Sequence, residues 1–341
     1  MAVWWDKETK DEAGALIHIA FARATTNVIR YVSFNTADDT YGTIQTVDNL
    51  TVSGSSGDSD VGICVAKSGR IYVCASGDLD AHTENTDHSM LSSDDSGASW
   101  DARTSPYSSD EELMRLLPGS AADTDDICAV VFDTINADLE FWKYDASAGT
   151  WGKSAIDTGI LVTATEGRSL KGFFDAVSRH SDEHILVAYW NDFDQTTGDF
   201  RSVDITQATP TITQKTNIDN NTDDSFMAGL LINQQNDDVY VAYLGSDAGD
   251  EVQNDTVNCY FKLSTDDMGT WGTEQTYGAE NDDLRMVSGG HTVANDGGRF
   301  MPAWSNVDLS DITVNDGNDV EIAAAGGVTT RRYTLTTLGV G

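Results

Sequence analysis

Three arginines stand where they could do chemistry: Arg115, Arg168 and Arg285 each lie near the start of an apolar, strand-like run. A guanidinium clamps a carboxylate through two parallel N–H bonds, so arginines gathered at one place would hold an acidic substrate. Trp190, Phe193 and Trp304 border polar loops and offer flat rings that suit the C–H surface of a sugar; the same rings would equally plug the space between packed sheets. Asp192 lies among them, in one of the long acidic loops at 77–88, 191–199, 245–256 and 305–319. Clustered carboxylates attract hard cations, which makes calcium or another cation a candidate cofactor, although no D-x-D-x-D-G loop is complete and no ligand set can be assigned. A solvated acidic rim is the plainer reading of the same loops. The histidines (His18, His82, His88, His180, His184 and His291) suggest ordinary surface or core positions. His180 and His184 are spaced as a helical metal pair but straddle a turn. No G-x-S-x-G, P-loop or G-x-G-x-x-G points to a hydrolase triad or a nucleotide.

Charge narrows the partners. The 341 residues carry 56 acidic against 20 basic side chains, a formal net charge of -36. Such a surface repels itself in dilute buffer, and salt screens the repulsion. Adaptation to high salt is the preferred reading; many calcium sites, or a secreted acidic protein, are the alternatives. Nucleic acid and anionic membranes are poor partners for this field, because phosphate binding needs a basic patch. No apolar run approaches the roughly 20 residues that cross a bilayer, so membrane insertion is not expected. The opening MAVWWDKETKDEAG lacks the basic start and apolar stretch of a secretory signal, which fits a virion component assembled inside its host or a segment already removed. The four cysteines form no C-x-x-C pair; Cys64 and Cys74 could face each other across one hairpin.

The elements that must position these residues are short, β-branched, aromatic runs split by Asp, Gly, Ser and Asn. Only Asp110 to Leu117 has a helical look, and it fits a strand as well. Six segments share a form, an alternating apolar strand closing on a small residue and often an aromatic. They centre on Phe21, Ser76, Phe132, Tyr189, Tyr243 and Trp304, in steps of 55, 56, 57, 54 and 61 residues. Such a period suits a four-stranded propeller blade with its loops. The expected fold is all-β: one six-bladed β-propeller of four-stranded antiparallel blades, at about 1–50, 51–107, 108–160, 161–217, 218–279 and 280–341. AVWW would open the first blade and RRYTLTTL complete the last.

Ser93, Asp95, Gly97 and Trp100 spell S-x-D-x-G-x-x-W. Thr265, Asp266, Gly269 and Trp271 read as a shortened version, and Asp145, Gly149 and Trp151 echo it at the same phase. The pattern resembles the Asp-box (BNR repeat) of sialidase-like six-bladed propellers. The resemblance implies that these turns are scaffold: Asp accepts backbone N–H bonds, Gly supplies a positive φ and Trp packs between blades. It also implies an active site on the opposite face, with an arginine cluster and a Tyr nucleophile beside an acid. Here the chain departs from the family. Arg23 sits in LIHIAFARA instead of an F-R-I-P-like motif, and Tyr189 and Tyr243 read as blade core, leaving no Tyr–Glu pair to assign.

The expectation is therefore a non-catalytic recognition or structural module. It would bind a glycan or host receptor on a virion or extracellular surface of a halophilic system, alone or as an oligomer with other virion proteins. The alternatives are a divergent glycan-cleaving enzyme of glycoside hydrolase type and a purely architectural virion protein.

Overall fold

The computed structural model describes residues 2–11, 14–23, 28–48, 60–76, 89–105, 111–120, 123–133, 136–160, 173–191, 199–219, 225–246, 257–279, 283–288, 292–293, 303–307, 319–322 and 333–334. Among them the chain is all-β, with one 3₁₀ turn at Asp6–Glu8, and it divides into two compact units. The first comprises Met1–Gly159, Asp182–His184 and Thr206–Thr211; the second holds the remainder.

The first unit contains three sheets, each of neighbouring strands. Strands β1 (Ala2–Trp5), β2 (Leu16–Arg23), β3 (Val28–Asn35) and β4 (Thr40–Tyr41) pair in order, with β5 (Gln45–Asp48) also on β3. Next come β6 (Asp60–Val65), β7 (Ile71–Ser76), β8 (Ser89–Ser93) and β9 (Asp101–Arg103). The third sheet is β10 (Glu111–Pro118), β11 (Ile127–Asp133), β12 (Asp138–Asp145) and β13 (Thr150–Asp157). Within the segment with a helical look, Glu111 to Leu117 are strand, because their apolar residues pair with those of β11 across an antiparallel ladder.

The β11 run ICAVVFD is buried along its whole length, so both faces of this strand are covered. The outer β13 is mostly wet, which keeps the sheet's edge polar. Neighbouring sheets are tied by side chains. Thr9 Oγ1 donates to Val65 O at 2.7 Å, and Tyr72 Oη to Asp125 O at 2.9 Å. Glu183 accepts from Lys10 Nζ at 3.3 Å and from Lys67 Nζ, which engages two of the chain's eight lysines.

In the second unit, β14 (Phe174–Ser178), β15 (Ile185–Trp190), β16 (Phe200–Thr206) and β17 (Thr211–Gln214) form a fourth sheet in order. The fifth is β18 (Ser225–Asn233), β19 (Asp238–Ser246), β20 (Val257–Ser264) and β21 (Gln275–Ala279). The sixth is β22 (Asp283–Ser288), β24 (Ala303–Val307), β25 (Asp319–Ile322) and β26 (Tyr333–Thr334). The short β23 (Thr292–Val293) leaves this order. It runs parallel to β18 in the fifth sheet, opposite Ile232 and Asn233. The segments AVWW and RRYTLTTL contribute β1 to the first sheet and β26 to the last.

Cys64, Cys74 and Cys128 are free and buried. Cys64 lies opposite Tyr72 and Cys74 opposite Gly62, so the two are offset along their hairpin and unbonded. Burial pushes all three thiols upward, the behaviour of inert core cysteines. No helix among the described residues is long and apolar enough to cross a membrane.

Candidate functional site

Of the predicted site residues, Arg115 lies in the first unit, and Trp190, Arg285 and Trp304 lie in the second. Arg115 lies on β10 opposite Val130, on the strand face away from Met114 and Leu116, which press on Gly62 of β6. Its Nη1 donates to Met114 O at 3.4 Å. Arg285 occupies a bulge of β22 between Leu284 and Met286. The matching bulge of β10 falls between Glu111 and Leu113, short of Arg115, so the two arginines hold different register positions in their sheets. Trp190 is corrected from ligand platform to packing residue. It is 1% exposed, stacked on Phe200 at 4.1 Å and met edge-on by Tyr243 at 6.1 Å. Arg168, Asp192 and Phe193 lie outside the described residues, as does the side chain of Trp304, whose backbone is in β24. Most of each acidic loop is also outside them; among the described residues no group of three His, Cys, Asp or Glu is placed to hold a metal.

The structure instead assembles a cluster in the second unit from four separate elements. Tyr243 on β19 donates from Oη to Asp219 Oδ2 at 3.2 Å and also contacts Glu274 Oε2. Lys262 on β20 donates to Asp219 Oδ2 at 3.0 Å and to Ile218 O at 2.8 Å, and its Nζ lies 3.7 Å from Glu274 Oε2. One phenolic proton thus faces two carboxylates, with one ammonium to balance them. Burial first, then the hydrogen bond to Glu274, drives the Tyr243 hydroxyl upward from its ordinary value. At 1% exposure the hydroxyl is packed inside the unit and its proton is committed to the two carboxylates. A Tyr–Glu pair therefore exists, where the repeat pattern had marked Tyr243 as core. It is core too, at 1% exposure, and only the fold brings Glu274 to it.

A second cluster in the same unit is ionic. Arg179 Nη2 meets Asp204 Oδ2 at 2.9 Å, and Nη1 contacts Asp267. Lys215 Nζ reaches Asp267 Oδ2 at 2.5 Å and Asp204 Oδ2 at 3.6 Å. Burial opposes ionisation of Asp267, but bonds from Lys215 and Arg179 hold it below the usual carboxylate range.

The turns that carry the Ser, Asp and Trp pattern are built by their own side chains. Ser93 Oγ donates to Asp95 Oδ1 and accepts from Gly97 N, both at 2.8 Å. Asp95 also accepts from Ser99 N at 2.8 Å and Ser99 Oγ at 2.6 Å. Gly97 has φ 89°, and Trp100 Nε1 donates to Gly97 O at 3.1 Å.

The second turn repeats this wiring with a changed assignment. Ser264 Oγ donates to Asp266 Oδ1 at 2.9 Å and accepts from Met268 N at 2.9 Å. Thr270 N donates to Asp266 Oδ1 at 2.8 Å. The turn is therefore full-length, Ser264 to Trp271. Its left-handed residues are Asp267 and Met268, at φ 60° and 59°, and Gly269 does not serve in the glycine place. The turn at Asp145 is of another kind: Asp145 accepts from Ser147 Oγ at 2.7 Å and Ala148 N at 2.8 Å, Gly149 has φ 66°, and Trp151 Nε1 donates to Thr104 O at 3.0 Å.

These bonds have a pH signature. The Ser99 hydroxyl, then the Ser99 N–H and Ser93, hold the Asp95 carboxyl down to about 2. A group whose folded pKa lies below its unfolded value of about 3.9 stabilises the fold above that value and loses the contribution as pH falls through the folded one. Thermal melts should show a stability gap between the wild type and Asp95→Asn that is constant above about pH 5 and shrinks towards about pH 2. A gap unchanged at the acid end would show that Asp95 is not bonded in this way.

No protein-family model and no curated protein matches the sequence. Solved structures do match. A polysaccharide lyase, the PL25 ulvan lyase bound to a GlcA(1-4)Rha3S saccharide, is similar with a TM-score of 0.61 at 10% identity, over 95% of this chain and 82% of that one. A mutant of AofleA from Arthrobotrys oligospora gives 0.52 at 10%, over 98% and 86%. The α-L-arabinanase of Penicillium chrysogenum complexed with arabinobiose gives 0.50 at 10%, over 78% and 88%. At these identities the likeness is one of fold, and the fold is of the β-propeller class.

Proposed function

We propose that the chain is a six-bladed β-propeller, one blade per sheet, that recognises carbohydrate without turning it over. In this reading the blades fall at about 1–50, 51–107, 108–160, 161–217, 218–279 and 280–341, and the Ser93 and Ser264 turns are Asp-boxes of the sialidase-like kind. The observation that carries the proposal is the likeness over 95% of the chain to a propeller solved with a saccharide in place. One feature of the chain supports recognition over catalysis: the Tyr243 hydroxyl is buried and held by Asp219 and Glu274. The net charge of -36 supports a high-salt setting, and in this reading the chain is displayed on a virion or extracellular surface.

The test is a glycan panel together with fluorogenic sialosides, each in dilute and in molar salt, with melting followed in parallel. Binding without turnover is expected, along with a melting temperature that rises with salt as the acidic surface is screened. The second reading, a divergent glycan-cleaving enzyme, is favoured by the lyase likeness. Turnover abolished by Arg285→Ala would establish it in place of the first. Failure to bind any glycan in either salt would leave an architectural virion role.

A further inference from the structure

The three turn tryptophans are not covered alike. Trp100 meets the Tyr31 ring at 5.3 Å, and Trp151 meets Tyr144 at 5.0 Å. Among the described residues the Trp271 ring has no aromatic partner. It lines a surface depression of about 400 Å³, together with Leu263, Thr265, Thr270, Thr273 and Gln275. That volume lies within the range of small-molecule sites. Trp271 is fixed, because its Nε1 donates to Thr216 O at 3.0 Å, and the turn beneath it is held by Asp266. Thr265, Thr273 and Gln275 are exposed, and among the described residues their side chains have no hydrogen-bond partner.

The lining is also uncharged, in a chain with 56 acidic residues. The two carboxylates nearest in sequence are turned to other work: Asp266 to its own turn, Glu274 to Tyr243 and Lys262. An indole ring has a negative face, which attracts C–H groups made positive by neighbouring oxygens. Hydroxyl and amide groups beside it can both give and accept hydrogen bonds. A ring face with hydroxyls and an amide around it, and acids behind, fits a polyol with apolar C–H patches and rejects an anion.

We propose that the Trp271 depression is a subsite for one uncharged sugar ring. The proposal rests on the carbohydrate reading above and adds a place and a ligand class to it. The probes are methyl glycosides of glucose, galactose and mannose, with glucuronate as the charged comparator, followed by ligand-observed NMR on the full chain. At least one neutral glycoside should bind, and glucuronate should not. Trp271→Ala should weaken binding by about ten-fold or more, the size expected when a central aromatic anchor is removed. Trp271→Phe should restore part of it. Gln275→Leu, which disturbs none of the turn's bonds, should weaken binding while leaving the melting temperature unchanged. Neutral binding indifferent to both Trp271→Ala and Gln275→Leu would overturn this site. So would a wild type that binds larger glycans on the panel but no neutral glycoside; in both cases carbohydrate recognition itself would stand. A wild type that binds no saccharide at all would overturn both readings.

Discussion

Replacing Gly97 by alanine is expected to cost about 3 kcal/mol or more of folding stability, far above the usual surface substitution. Two effects add. At φ 89° an L-residue is strained, and a Cβ built there would lie 2.2 Å from Tyr31 Cε1 and 2.6 Å from Cδ1. The ring cannot swing aside. Tyr31 Oη is bonded to His18 Nδ1 at 2.7 Å, His18 Nε2 to Asp6 Oδ1 at 2.7 Å, and the Trp100 ring closes the other side. The second turn supplies the contrast. Met268 occupies the corresponding place at φ 59° and is itself fully buried. Met268→Gly would relieve strain of about 1 kcal/mol but lose a buried side chain of about 2–3 kcal/mol, so it too should destabilise. Denaturant melts of both variants read the result directly. A Gly97→Ala protein as stable as the wild type would mean that Tyr31 does not fill the turn.

Removing the Arg179 charge should be about as damaging. Arg179→Met leaves Asp204 buried, at 6% exposure, with its closest cationic partner gone. Breaking a buried pair costs about 3–5 kcal/mol when the remaining charge is left uncompensated. Lys215 Nζ stays 3.6 Å from Asp204 Oδ2, so the loss should fall towards the lower end, about 2–3 kcal/mol. The double variant Arg179→Met/Asp204→Leu should be more stable than Arg179→Met alone, since apolar pairs of similar volume often replace buried ion pairs at little cost. If the double variant were the weaker of the two, the pair would not be acting as a buried ionic unit, and Asp267 and Lys215 would be the members that matter.

Much of the architecture was legible because a repeated sheet leaves a periodic trace. The aromatic positions at 21, 132, 189 and 243 all fall in strands, and each sheet follows the next along the chain. What failed, failed locally. At 264–271 the glycine in the sequence does not mark the left-handed residue: Met268 holds that conformation, with its N–H bonded to Ser264 Oγ, and burial of its side chain offsets the strain. Trp190 lies next to a polar loop in sequence, yet its ring is packed between Phe200 and Tyr243. The Tyr243 cluster could not be read in advance. Its members at 219, 243, 262 and 274 lie on different elements, and no spacing rule links a strand tyrosine to a carboxylate 31 residues on.

The assembly of each sheet from adjoining stretches of chain bears on how such a protein can change by recombination. A cut between 48 and 60, or between 157 and 174, severs no ladder among the described strands, so a whole repeat could be exchanged, duplicated or lost as one cassette. The boundary between the fifth and sixth sheets is different. Thr292 and Val293 come from the sixth stretch but pair with β18, so these two repeats are stitched together and should be inherited as one block.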